Sequence, residues 1–202
     1  MGVTAGRFAL LVMTAATLGV SARTTADGGV SVVPSVFNPA RTDVRIEAVW
    51  TPGAGVPDGV AAPNDDQGLV LAISDTVTYP PGAAAIAEVR SSGDRTLRHL
   101  AFDHKVGTHC SGGSPRWVIE TADGGVYAFG CSAGVRQVDL PGSGWERVTF
   151  SCSDVQVLAG VEGTCPLGSV QAISSMKIVH DEAGSTTLDN LDVDFVVTGK
   201  GR

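Results

Sequence analysis

Residues 174–200 read SSMKIVHDEAGSTTLDNLDVDFVVTGK. Leu191, Val193, Phe195 and Val197 alternate there with Asp192, Asp194, Val196 and Thr198. A period of two sends one set to a core face and the other to the opposite face of a β-strand. Met176 and Ile178 alternate in the same way before His180-Asp181-Glu182-Ala183-Gly184, whose Asp and Gly mark a turn. The stretch predicts two strands of an antiparallel β-sandwich joined by a polar turn.

Working back along the chain, the same signature recurs. Val44, Ile46, Ala48 and Trp50 alternate with Arg45 and Glu47, which predicts a strand over 43–50. Residues 51–67 carry three Pro and three Gly and read as a long loop. Gly68–Ser74 is an apolar run of strand length, ended by the Tyr79-Pro80-Pro81-Gly82 break. Ala83–Arg90 stays open between a short helix and a strand: its alanines favour the first, its neighbours the second. Leu97–His104 alternates again. Arg116–Thr121 and Val126–Cys131 flank Asp123-Gly124-Gly125 as a hairpin. A three-residue loop with a left-handed Gly gathers Trp117, Ile119, Tyr127, Phe129 and Cys131 on one face, whereas a two-residue turn scatters them. Gln137–Leu140 and Trp145–Cys152 follow as strands, then a Gly-rich excursion over 153–169. Eight to ten short strands without a strong helix predict an all-β sandwich or barrel.

Composition narrows the class. At 43% hydrophobic and 17% charged, the chain has enough apolar residues to build a core and is not a charge-rich disordered protein. Fourteen Lys and Arg against 21 Asp and Glu give a net charge of −7 with no basic cluster, so nucleic acid is not an expected partner. Arg7 followed by the apolar run Phe8–Val20 reads as a secretory signal over residues 1–26, with small residues suited to cleavage after Ala22 or Ala26. That run is too short to span a bilayer, and no later one is longer. Residues 27–42, with Pro34 and Pro39, read as an extended leader, and 43–200 as a single domain, expected to be a secreted monomer.

Export implies disulfides among Cys110, Cys131, Cys152 and Cys165. Of three possible pairings, Cys110–Cys131 with Cys152–Cys165 encloses two short segments that do not cross. Each link would contribute about 3 kcal/mol by restricting the unfolded chain. The spacing lacks C-x-x-C, which disfavours zinc.

Gly68-Leu-Val-Leu, Leu97-Arg-His-Leu-Ala-Phe-Asp, Pro115-Arg-Trp-Val-Ile and Asp123-Gly-Gly-Val-Tyr-Ala-Phe occur in that order. They are followed by Gly144-Trp-Glu-Arg-Val-Thr-Phe, Met176-Lys-Ile-Val-His-Asp-Glu and Leu188-Asp-Asn-Leu-Asp-Val. The series resembles the jelly-roll β-sandwiches of bacterial carbohydrate-binding modules and their galactose-binding-like relatives, over about residues 68–198. The Asn-Gly-Glu-rich opening strand of those modules is not recognisable. The resemblance implies non-catalytic binding of a glycan, and it implies that Asp189 of the closing Asp-Asn pair helps to hold a structural calcium. No other cofactor is required, and Asp189-Asn190 has a plainer role in satisfying turn amides.

Glycan binding needs an exposed aromatic platform, since a pyranose stacks its apolar face on a ring while polar groups take its hydroxyls. Candidates are Trp145, Trp117 and Tyr127, with Arg147, Glu120 or Asp103 as polar partners. Trp117 and Tyr127 share the face of Cys131, which also suits core packing. Trp145 is out of phase with Val148 and Phe150. Two alternatives stand beside this reading: a secreted structural or protein-interaction sandwich, and a jelly-roll lyase or glycosidase. The last finds no Gly-x-Ser-x-Gly, His-Glu-x-x-His or phosphate loop, only a conceivable carboxylate pair of Glu120 and Asp103.

Overall fold

A computed structural model describes residues 29–41, 43–57, 66–74, 82–91, 96–138 and 143–199. The expected export signal, the break at 79–81 and residues 58–65 of the long loop lie outside them. The strands, in chain order, are β1 (Val30–Phe37), β2 (Ile46–Thr51), β3 (Gly68–Ile73), β4 (Ala84–Ser91), β5 (Leu100–Lys105), β6 (Arg116–Thr121), β7 (Val126–Gly130), β8 (Val135–Gln137), β9 (Trp145–Phe150), β10 (Val155–Ala159), β11 (Ile173–His180), β12 (Gly184–Val193) and β13 (Val196–Thr198). The one helical element among the described residues is a 3-10 turn at Cys152–Asp154.

These strands form two antiparallel sheets packed face to face. One sheet runs β1-β4-β11-β6-β7-β10 and the other β2-β3-β12-β5-β9-β8, with β13 also pairing β12. Ala83–Arg90 resolves as a strand because β4 takes the place between β1 and β11, where both its ladders are filled. Tertiary pairing overrides the helical preference of alanine. The supposed leader is not outside the domain: β1 pairs with β4 along its whole length, Val30 against Ser91 to Phe37 against Ala84. Pro34 fits this position, an edge strand being the place where a missing N–H is tolerated.

The core lies between the sheets. Phe102 and Phe150 from one sheet meet Trp117 and Phe129 from the other, with ring centroids 6.2–6.4 Å apart. Leu69, Leu71, Ile119, Ile178, Leu188 and Leu191 fill the space around them. The β6–β7 hairpin has the expected face, with Trp117 opposite Phe129 and Ile119 opposite Tyr127. Its loop sits one residue earlier than expected. Thr121 and Gly125 close it by a backbone hydrogen bond, and Gly124 supplies the left-handed residue at φ 89°.

The stretch 174–200 departs from its simple reading in two ways. β11 and β12 are not a hairpin, because β11 pairs with β4 and β6 while β12 pairs with β3 and β5, so the polar turn between them carries the chain from one sheet to the other. The alternation also does not run through. Asn190, at φ 45°, inserts a bulge between Asp189 and Asp192, which lets Leu188 and Leu191 both face the core. The chain then reverses at Asp194-Phe195, so Phe195 and Val197 leave the core that the sequence pattern assigns them.

Both disulfides take the expected pairing, Cys110–Cys131 and Cys152–Cys165. The first ties the segment after β5 to the end of β7 and so links the two sheets. The second closes the excursion that contains the edge strand β10.

Candidate functional site

The three aromatic residues expected to carry a ligand are all buried. Trp117 is 0% exposed, Tyr127 2% and Trp145 4%. Trp117 and Tyr127 lie on the inner face of their hairpin, and the Tyr127 hydroxyl meets Thr164 Oγ1 at 2.9 Å. Trp145 does point away from Val148 and Phe150. Its cross-strand neighbour Lys105 nevertheless holds its ammonium 5.9 Å from the centre of the indole. None of the three offers a ring face to a sugar. Arg147 donates Nη1 to Asp103 Oδ1 at 2.9 Å and Nη2 to Asp192 Oδ2. Glu120 accepts from Lys177 Nζ at 2.8 Å, and that ammonium holds the Glu120 carboxyl below its usual range. Asp103 and Glu120 neighbour the inward-facing Phe102 and Ile119, so they stand on the outer faces of different sheets and form no carboxylate pair across a cleft.

The most exposed aromatic among the described residues is one the sequence pattern assigns to the core. Phe195 is 72% exposed at the tip of the two-residue turn joining β12 to β13. Asp194 and Phe195 both have left-handed backbones, at φ 54° and 67°. A non-glycine residue there costs roughly 1–2 kcal/mol. The turn is held by its neighbours. Asp194 Oδ1 accepts the N–H groups of Arg98 and His99, and the Asp194 N–H donates to His99 O at 3.0 Å. The His99 ring stacks on Phe195 with centroids 4.4 Å apart and planes 10° from parallel. His99 Nε2 lies 3.4 Å from Asp192 Oδ2, the atom that also receives Arg147, and Asp103 Oδ2 accepts from Asn190 Nδ2 at 2.7 Å. A chain of polar contacts thus backs the stacked rings.

Beside this turn lies a cleft of about 400 Å³ where β4 ends and β11 begins. Glu88, Arg90, Ser174, Lys177, Val193 and Asp194 line it, so Phe195 is one residue from its wall. The polar lining mixes both signs of charge around an apolar floor, which suits an uncharged polyhydroxylated ligand better than an ion.

Asp189 makes the plainer of its two expected interactions. Its Oδ2 accepts from Val56 N at 2.8 Å and its Oδ1 from Asn190 N at 2.7 Å, stitching the long loop to the bulge of β12. Calcium needs several converging oxygens. Among the described residues, the convergent set of three His, Cys, Asp or Glu groups is His104 with Cys110 and Cys131, which does not include Asp189.

Two Ser–His contacts sit at the far end of β11. Ser114 Oγ lies 2.8 Å from His180 Nδ1, but both residues are fully buried. His109 Nε2 faces Glu182 at 3.0 Å and Ser111 at 3.4 Å through the same nitrogen, so it does not relay a proton from serine to acid as a triad does.

Fold and site together define a two-sheet antiparallel sandwich with a strained aromatic turn beside a polar cleft. No protein-family model, curated protein or solved structure matches the chain.

Proposed function

We propose that this protein is an exported, non-catalytic glycan-binding sandwich whose platform is Phe195 rather than a tryptophan. The observation that carries this reading is Phe195 itself. A phenylalanine at that turn is disfavoured by its left-handed backbone, where glycine is easier, and by its exposure to water, where a polar residue is easier. Such strain is retained where it serves a site. A sugar ring stacked on Phe195 would have its hydroxyls within reach of Asp194 and of the Lys177 and Arg90 side chains in the neighbouring cleft. Export is supported by the apolar leader read in the sequence and by two disulfides, which suit an oxidising compartment. Affinity electrophoresis against a panel of neutral and acidic polysaccharides tests the reading. At least one should retard the protein, and Phe195→Ala should abolish the retardation while leaving the melting temperature within a few degrees. Retardation by none, or equal retardation of the variant, overturns it.

A second reading, a protein-interaction sandwich, is favoured by the β1 edge, where Val36 and Phe37 are each more than half exposed. It predicts no glycan retention at all.

A further inference from the structure

β1 closes one side of the six-stranded sheet, with β4 on its inner flank and no strand on the other among the described residues. In an antiparallel ladder, alternate residues direct both backbone polar groups to the same side. The Val30 carbonyl points away from β4, since it accepts from Thr198 Oγ1 at 3.0 Å. Val32, Pro34 and Val36 share that phase and turn their backbones to the open side, which is where the N–H that Pro34 lacks is least missed. Val30 and Val32 join the core, so Val33, Ser35 and Phe37 stand on the outer face of the sheet. The edge is bounded. Thr198 closes it at Val30, and after Phe37 the chain turns, with Arg41 N donating to Asn38 O at 3.1 Å. Between those ends Val33 and Phe37 flank Ser35 symmetrically. Val36 and Phe37 are more than half exposed and Val33 more than a third. Residues 30–38 carry no charge in a chain of net charge −7, although charged side chains are the usual guard of an open edge.

We propose that β1 pairs antiparallel with β1 of a second copy of this chain, about a two-fold axis at Ser35, joining two six-stranded sheets into one. In that register Val36 N–H donates to Pro34 O of the second copy, whose Val36 returns the bond. Phe37 faces Val33 of the second copy across the outer face, and Val33 faces its Phe37. Aromatic and β-branched residues paired in this way stabilise a ladder. Ser35 meets Ser35 at the axis. A second copy fits this edge better than a foreign strand. Two acidic chains can meet only where neither brings its charge, and this edge is uncharged. A two-fold contact also requires a surface complementary to itself, which the symmetric placing of Val33 and Phe37 supplies. The N–H absent from Pro34 leaves the Val36 carbonyl opposite it to water, and so short a contact lies at the small end of interfaces, below about 1,200 Å². The dimer is therefore weak and set by concentration. It requires no glycan.

Sedimentation velocity of the full chain over a hundredfold range of concentration should show monomer passing into dimer. Ser35→Lys sets two ammonium groups face to face at the axis and should weaken association at least tenfold, since like charges directly opposite oppose pairing. Ser35→Cys brings two thiols together across a non-hydrogen-bonded pair, where Cα atoms stand about 4.5 Å apart, close enough for a disulfide. Mild oxidation should cross-link that variant into a dimer, mapped by peptide mass spectrometry to position 35 of both copies. Ser31→Cys, on the same face of the same strand but four residues from the axis, should stay uncross-linked. A chain that is monomeric at every concentration, association unchanged by Ser35→Lys, or equal cross-linking of the two cysteine variants overturns the proposal. The cross-linking comparison adds no charge to the edge, so it decides even if Ser35→Lys fails to fold.

Discussion

His180 is a base held where water does not reach it. It is fully buried, with Ser114 at Nδ1 and the Gly184 carbonyl at Nε2, and burial lowers its pKa from an ordinary 6.5 to about 4. Burial also lowers the pKa of His104. The unfolded chain therefore takes up protons that the folded chain refuses. Stability is fully present above pH 6.5 and is lost as pH falls toward about 4, by about 3 kcal/mol for His180 alone. Urea denaturation at stepped pH should show that slope, and His180→Asn, less stable throughout, should flatten it. An unchanged slope in the variant would refute the assignment. Phe195 presents the opposite case, a large side chain that the fold scarcely uses. Phe195→Gly gives up the stacking on His99 and relieves the left-handed backbone, so its stability should stay within about 1 kcal/mol of the parent. Phe102→Ala, in the ring cluster of the core, should cost about 3–5 kcal/mol. Thermal denaturation of the two variants side by side checks the contrast.

Among the elements, β1 matters more than its sequence suggests. A chain begun at Asp43, where the sequence pattern starts the domain, loses the ladder with β4 and the apolar cover from Val30 and Val32. Removing the buried Val30, at about 1.5–3 kcal/mol, and the half-buried Val32, at less, should lower the melting temperature by roughly 5–15 °C. A chain begun at Asp27 should melt like the full one, and equal melting of the two truncations would show β1 to be dispensable. The reason β1 was illegible is that SVVPSVF alternates weakly and carries a proline, which an edge strand tolerates and sequence alone does not place. The alternation of the β6–β7 hairpin, by contrast, was legible because every apolar residue agreed on one face. Period-two patterns report a face but not a sheet, which is why β11 and β12 looked like neighbours. They also run past a turn unmarked by glycine, which is why the exposed Phe195 looks like core in the sequence. Trp145 read correctly as lying opposite Val148, but an outer face covered by Lys105 is still a buried one.

Over the whole molecule, the two disulfides restrain different things, although loop entropy alone gives each about 3 kcal/mol. Cys110–Cys131 spans 21 residues and ties the β5 side of one sheet to the β7 end of the other, so its loss loosens the packing of the sandwich as a unit. Cys152–Cys165 spans 13 residues and encloses β10, an edge strand paired only with β7. Breaking it frees a segment that most of the core does not touch. Cys110→Ala with Cys131→Ala should therefore lower the melting temperature by roughly 6–12 °C and raise amide exchange across β5, β6 and β7 together. In Cys152→Ala with Cys165→Ala, exchange should rise first in β10 and the excursion around it, while the amides of β5 and β6 stay protected. Hydrogen exchange read by mass spectrometry separates the two patterns. If both pairs opened the same amides to the same degree, the cross-sheet clamp would have no special place in holding the layers together.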